Sequence, residues 1–263
     1  MSSSLDSPSV LRFDANYYAT GCGIPYERNA AWLAFFAAIA DRIVDQIGPR
    51  TVLDAGCAMG FLVEALRERG VEAWGIDVSE YAIGQVHPSV RAFCRVGSIA
   101  EPFERRYDLI VCIEVLEHMP AAEGERAIAN LCAHADDVLF SSSPDDFTEA
   151  THVNVQPPEY WAERFARHGL FHDLDFDASF VTRWAMRFRR SDEPVHGLVR
   201  RYERRLTRMQ EENRQLRAAL HEIRASAQDV AQLCAERDAL RDLVQRYERG
   251  KFMRFMRWIK GGH

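Results

Sequence analysis

From Thr51 to Ser141 the chain alternates short, nearly continuous apolar runs with segments whose apolar residues recur every three or four positions. Runs of five to seven residues fit strands covered on both faces, and the segments between them carry a helical period. The runs are Thr51–Ala55, Val71–Ile76, Val90–Val96, Tyr107–Ile113 and Asp137–Ser141; the helical segments are Phe61–Arg69, Glu80–Val86 and Ala121–His134. Strand and helix in strict alternation build a parallel sheet with helices on both faces. A helix over Asn29–Ile47 precedes them, with Trp32, Phe35, Phe36, Ile39 and Ile43 on one stripe and Gly48-Pro49 ending it. After Pro157-Pro158 another helix runs to His168. Phe171–Asp177 and Thr182–Arg189 then read as two strands with no helix between them, an antiparallel closing pair.

Near Pro194 the character changes. Residues 199–249 contain no Gly or Pro, and Val199, Tyr202, Leu206, Met209, Leu216, Leu220, Ile223, Ala227 and Val230 follow a seven-residue repeat, with Asn213 in the gap. That pattern predicts a coiled coil, and a polar residue on its seam restricts register and oligomer number. Past Val230 the phase slips by a three-residue step before Leu233, Leu240, Val244 and Tyr247, with Arg237 on the seam; such a stammer overwinds the coil locally. A homo-oligomer, dimer or trimer, is expected through 199–247. The terminal stretch 251–260 places Phe252, Phe255, Met256 and Ile259 within one arc, with Arg254 and Arg257 opposite, Lys251 and Lys260 at its edges, and Trp258 nearby. A basic helix of that kind can lie on an anionic membrane surface, while a partner-binding helix is the alternative.

Charge divides in the same place. Residues 1–190 hold 28 acids against 17 Lys and Arg, and residues 191–263 hold 11 against 16. The acidic body excludes a nucleic-acid substrate, since phosphate binding needs clustered cations. Cys22, Cys57, Cys94, Cys112, Cys132 and Cys234 form no CxxC pair and no zinc spacing, so reduced, mostly buried thiols and no metal are expected. Met1–Val10 is Ser-rich without an apolar core, so no signal peptide is expected, and no run has the length to span a membrane. The expected location is cytoplasmic, with peripheral attachment to the inner face of the inner membrane as an option. The organisation reads as a leader or lid over 1–28, a catalytic domain over 29–190, a coiled coil over 195–249 and a basic amphipathic helix over 250–263.

The chemistry gathers at Val52-Leu53-Asp54-Ala55-Gly56-Cys57-Ala58-Met59-Gly60, between a strand and a helix. Small residues at 56, 58 and 60 permit a tight turn and leave room for a ligand against bare backbone. About twenty residues on, Gly75-Ile76-Asp77 ends the next strand with a carboxylate able to accept from both hydroxyls of a ribose. A nicotinamide site would want G-x-G-x-x-G to cradle a pyrophosphate. Here Asp54 precedes the glycines and the order differs.

This loop resembles motif I of the class I S-adenosylmethionine-dependent methyltransferases, with Ala58 in place of one family glycine. Gly97-Ser98-Ile99 falls where that family flanks adenine, with Ser98 where Asp is frequent. Tyr107-Asp108-Leu109-Ile110-Val111-Cys112-Ile113-Glu114-Val115-Leu116-Glu117-His118 is similar to its strand-4 signature. The resemblance covers roughly residues 50–120. It implies an α/β fold, a doubly wound Rossmann-like seven-stranded sheet with an antiparallel closing strand, followed here by the long C-terminal coiled-coil helix. It also implies S-adenosyl-L-methionine as cofactor, with Asp54, Gly56, Cys57, Gly60, Asp77, Val78, Ser98, Ile99 and Glu114 around it.

Methyl transfer to an alcohol asks for positioning and a base. His118, at the rim after the fourth strand, and His152, in the loop after the fifth, are the two candidates. Packing at a helix start is the alternative for His118, and Glu117 either orients it or is solvated. Ahead of the core, residues 16–28 combine aromatic rings with glycines, which fits a lid with Tyr18 or Tyr26 facing the site, or equally aromatics packed under the sheet. The stretches Gly97–Met119 and Thr151–Trp161, with the coiled coil and terminal basic helix behind them, resemble enzymes that modify bacterial surface polysaccharides, and that resemblance implies transfer to an oxygen of a small-molecule or glycan acceptor. Quinone, polyketide or other metabolite acceptors remain open, as do a nicotinamide reductase and a non-catalytic scaffold on a coiled coil.

Overall fold

The computed structural model describes residues 13–249; residues 1–12 of the expected leader or lid, and the expected basic helix over 250–263, lie outside the described residues. The chain divides into two units, one ending at Glu193 and the other beginning at Pro194.

In the first unit, seven strands form one sheet: β1 (Thr51–Ala55), β2 (Glu72–Asp77), β3 (Cys94–Val96), β4 (Leu109–Ile113), β5 (Asp137–Ser141), β6 (Leu170–His172) and β7 (Met186–Arg190). Their order across the sheet is β3-β2-β1-β4-β5-β7-β6. β1 to β5 pair in parallel, while β7 runs antiparallel to both β5 and β6. The helices are α1 (Ala30–Gln46), α2 (Phe61–Glu68), α3 (Glu80–Gln85), α4 (Ala121–His134) and α5 (Pro158–Arg167). This is the doubly wound α/β architecture expected, closing strand included.

The period of two along the strands sends side chains to opposite faces. Leu53, Ile110, Cys112, Val138 and Phe140 pack on one face against Ala127, Ile128 and Leu131 of α4 and Trp161 and Phe165 of α5. Val52, Leu109, Val111 and Leu139 pack on the other against Ile39, Ala40 and Ile43 of α1 and Leu62, Val63 and Leu66 of α2. Both faces being covered, the strands read as continuous apolar runs. Helix starts are marked locally: Asn29 accepts from the Trp32 amide, Ser79 accepts from the Ala82 amide, and Pro158 opens α5.

Four strands are shorter than the apolar runs imply, β4 by starting at Leu109 rather than at Tyr107. The amides of Val90 and Arg91 turn back to the His87 carbonyl, so a 3₁₀ turn replaces the first half of the run Val90–Val96. Phe171–Asp177 pairs only through His172 before the Phe176 amide turns back on the Asp173 carbonyl. Thr182–Arg189 begins its pairing at Met186, because the Ala185 amide closes a turn on Thr182. Tyr17–Gly21 form one π-helical turn that has no sequence signature.

Among the described residues, the second unit holds one helix, α6 (Val195–Arg249), of 55 residues. Its seam residues Leu206, Met209, Leu216, Leu220, Ile223 and Val230 are all exposed. Among the described residues, no helix is long and apolar enough to cross a membrane.

Candidate active site

In a parallel sheet every strand delivers its following loop to the same end. Between β1 and β4 the strand order reverses, so the loops after them part and leave a crevice. The loop after β1 holds Gly56 to Gly60. The amides of Gly56 and Cys57 donate to the Ile76 carbonyl of β2, and the Gly60 amide closes on Cys57. Gly56 has φ +92°, and a Cβ there would stand 2.3 Å from Cγ2 of Val115. No L side chain fits that position. Ala58 stands at φ +45°, the left-handed region that a glycine would occupy without strain.

Asp77, at the end of β2, holds Ala58 in place. Its Oδ2 accepts from the Ala58 amide at 2.8 Å and its Oδ1 from the Ser79 amide at 2.8 Å. Each oxygen retains a second acceptor direction. Asp54 is buried beside it; burial first, and then the Asp77 charge, push its carboxyl up to about 8. Burial likewise raises Asp77, opposed by its two amide bonds. The Cys57 side chain is buried against Gly75 and Cys94, so this residue offers the crevice its backbone. Val78 is exposed, Ser98 accepts from the Ala100 amide, and Ile99 is buried in the core beside Leu53 and Ile110.

The loop after β4 carries Glu114, another non-glycine residue at positive φ, +52°. Its Oε1 accepts from the Trp184 indole at 2.9 Å. Glu117 is not solvated: it is fully buried, its Oε1 accepts from the Ser143 amide, and its Oε2 has no hydrogen-bond partner among the described residues. Burial, then the Glu114 charge, hold its carboxyl well above the usual range. Its backbone carbonyl accepts from the amides of Val153 and Asn154, tying the loop after β5 to the loop after β4.

That tie brings His118 and His152 together, with ring centroids 4.7 Å apart. Nδ1 of His118 lies 2.9 Å from the Thr151 hydroxyl, which donates to Glu149. Nδ1 of His152 lies 2.8 Å from the Asp146 backbone carbonyl, and its Nε2 3.3 Å from Oε2 of Glu149. Burial, then the neighbouring His152, push His118 down to about 4, so its ring is neutral near pH 7. Phe13 and Tyr17 set their ring edges on His118. Tyr18 stacks on Tyr81, and Tyr26 stacks on Phe61 in an aromatic cluster at the start of α2. The N-terminal segment therefore reaches His118 through Tyr17, while Tyr18 and Tyr26 pack by the glycine loop, close enough to Asp77 and Asp54 that those charges add to burial in raising both phenols.

Asp54 and Asp77 at strand ends, and Gly56, Gly60, Glu114, His118 and His152 in the segments that follow, thus lie at the same end of the sheet. Glu149, Thr151 and Trp184 are additions that no motif marks. The one signal they carry is position, since all three lie in connections following β5 or preceding β7.

Comparison with known proteins fits this geometry. Residues 26–175 match the family model described as a methyltransferase domain. Over 102 residues the chain is 36% identical to a ubiquinone biosynthesis O-methyltransferase of Alkalilimnicola ehrlichii, covering 35% of this chain and 41% of that protein. Over 149 residues it is 29% identical to the Methylococcus capsulatus protein of the same name, covering 52% and 61%. The chain thus spans about half the length of these curated relatives. Among solved structures, the magnesium protoporphyrin IX methyltransferase of Synechocystis with bound SAM aligns with a TM-score of 0.53 at 18% identity, over 70% of this chain and 100% of that one. A sugar N-methyltransferase from a Streptoalloteichus species aligns with a TM-score of 0.51 at 16% identity, over 73% and 98%. Those two likenesses concern the fold.

Proposed function

The chain belongs to the methyltransferase-domain family, and on that premise we propose that it transfers a methyl group from S-adenosylmethionine to a hydroxyl oxygen of a small-molecule acceptor. The observation that carries the reading is the bare turn at Gly56, which no side chain fits, set against the buried carboxylate of Asp77. The donor set suits this cofactor. Asp77 would hold the ribose hydroxyls, Gly56–Gly60 would lie beneath the methionine part, and Asp54 and Glu114 would accept from its ammonium group. Val78, Ser98 and the backbone of Ile99 would flank the adenine. When bound, the cofactor supplies a methyl carbon activated by a sulfonium sulfur.

What the chain's own side chains add is a place for the acceptor's proton. The Asp146 carbonyl only accepts, so Nδ1 of His152 donates to it and Nε2 carries the lone pair when the ring is neutral. The Thr151 hydroxyl gives its proton to Glu149, so Nδ1 of His118 donates to Thr151 and its Nε2 is likewise free to accept. Either Nε2 is a candidate general base, which is worth about 10²–10⁴ in rate. Trp184 fixes Glu114, and Tyr17 and Phe13 shield the His118 ring from water.

The names of the curated relatives support an oxygen acceptor and favour a quinone-type ring over the glycan expected from the sequence. The test is incubation of the full chain with S-adenosylmethionine and two panels, hydroxylated aromatic rings and glycans, read by mass spectrometry. A gain of one methylene unit on a ring hydroxyl is expected. Methylation of the glycans alone would move the acceptor back to a sugar, and methylation of neither panel would contradict the reading.

The second unit is proposed to assemble the enzyme. An exposed seven-residue repeat on a 55-residue helix gains most by pairing its apolar seam with another copy. Two or three copies would also present residues 251–260 together, which strengthens attachment to an anionic surface.

A further inference from the structure

Three lone pairs converge beside the proposed acceptor position. One carboxylate oxygen of Glu117 and one ring nitrogen each of His118 and His152 lie within 4.8 Å of one another. Oε2 of Glu117 is fully buried with no donor on it among the described residues and the Glu114 carboxyl near it, so ionisation there needs a compensating cation. Both histidines spend their Nδ1 protons on Thr151 and on the Asp146 carbonyl, which leaves their Nε2 atoms as acceptors. At Nε2 of His152 the neighbour is another acceptor, Oε2 of Glu149, at 3.3 Å. A proton on Nε2, or a metal ion beside it, relieves the repulsion between those two lone pairs. Three carboxylates, Glu114, Glu117 and Glu149, surround this pocket of acceptors.

We propose that Glu117, His118 and His152 bind one divalent transition-metal ion. Two imidazoles and one carboxylate suit zinc, manganese or cobalt better than magnesium or calcium, which prefer all-oxygen shells. Thr151 and the Asp146 carbonyl hold the Nδ1 sides of the two rings, the arrangement by which metal-binding histidines are oriented. Three protein ligands leave positions open for an oxygen of the acceptor. A metal there lowers the pKa of a bound hydroxyl, so the proton leaves more readily and the oxygen is held in place. In the metal-bound form Nε2 serves as a ligand and not as a base. This role rests on the proposed methyl transfer, but the ion site itself does not.

The sequence offers no Cys or His spacing typical of zinc and none was expected. The ligands come from two loops joined by the bonds of the Val153 and Asn154 amides to Glu117, which spacing does not reveal. A second group, Asp146, Glu149 and His152, shares one histidine, but its carboxylates are not buried and none of its atoms is orphaned.

The experiment titrates the chelator-treated full chain with cobalt(II), followed by absorption spectroscopy and by calorimetry. One ion per chain, with a spectrum free of thiolate charge transfer, is expected. His152→Ala and His118→Ala should each weaken binding at least about a hundredfold, beyond the loss typical of outer-shell changes. Glu117→Gln should do the same, and if it does not fold the histidine variants carry the test. Glu163→Gln, on α5 and away from these loops, should bind as wild type does. Absence of one-to-one binding, or unchanged affinity in both histidine variants, would overturn the site. S-adenosylhomocysteine binding, measured in the same samples, reports on the proposed function separately.

Discussion

His118 and His152 stand 4.7 Å apart, ring to ring, although one follows β4 and the other follows β5. The parallel pairing of β4 with β5 delivers both loops to one end of the sheet, and the Glu117 carbonyl locks them together. Residues that act as one unit lose activity non-additively. His118→Ala and His152→Ala are therefore each expected to lower kcat by about 10²–10⁴, with S-adenosylhomocysteine affinity retained. The double variant should be little worse than either single one. Steady-state kinetics on the acceptor checks this, and multiplying single effects would separate the two rings.

Asp54 gives the fold a pH signature. Its carboxyl, raised to about 8 by burial and then by Asp77, stays protonated in the folded chain where the unfolded chain ionises near 4. Below that lower value both states hold the proton and nothing is gained or lost. Between the two values the unfolded state releases it and the folded state does not, so stability falls as pH rises and levels above about 8. Asp54→Asn should remove that fall. Urea denaturation at a series of pH values should show the variant gaining on wild type from pH 5 to pH 8; parallel curves would contradict the account.

Much of this was legible in the chain. β1, β5 and α4 have the bounds that apolar runs and period predict, because strands covered on both faces are mostly apolar, with Asp54 the exception inside β1, and α4 keeps its helical period. The glycine loop, Asp77 and both histidines also stood out as residue types at strand ends. What sequence did not carry is pairing between loops. Whether His118 or His152 was the active ring looked like a choice, whereas the sheet order makes them neighbours. Glu149 and Trp184 reach the site through loop paths set by local turns, such as the Asp146 carboxylate accepting from the Thr148 amide. Glu117 read either as orienting His118 or as solvated, since nothing in its neighbours in sequence reveals the β5 loop that buries it.

The exposed seam of α6 gives an assembly prediction. Light scattering of the full chain should report two or three copies, and Leu220→Asp should reduce it to one. Asn213→Leu should raise thermal stability and broaden the distribution of oligomers, as replacement of a polar seam residue does. A wild-type chain that is monomeric at micromolar concentration would remove the coiled coil.

The central claim is a site for S-adenosylmethionine between Gly56 and Asp77, and calorimetry with S-adenosylhomocysteine tests it most directly. One site per chain is expected. Asp77→Ala should weaken it by about 1.5–3 kcal/mol, the loss of a charge-assisted hydrogen bond. Gly56→Val should abolish binding, because the branched side chain meets Val115 in a backbone conformation valine does not adopt. Circular dichroism should accompany both variants to show that the sheet is intact. No heat with S-adenosylhomocysteine, or saturable binding of NADH in its place, would contradict the account.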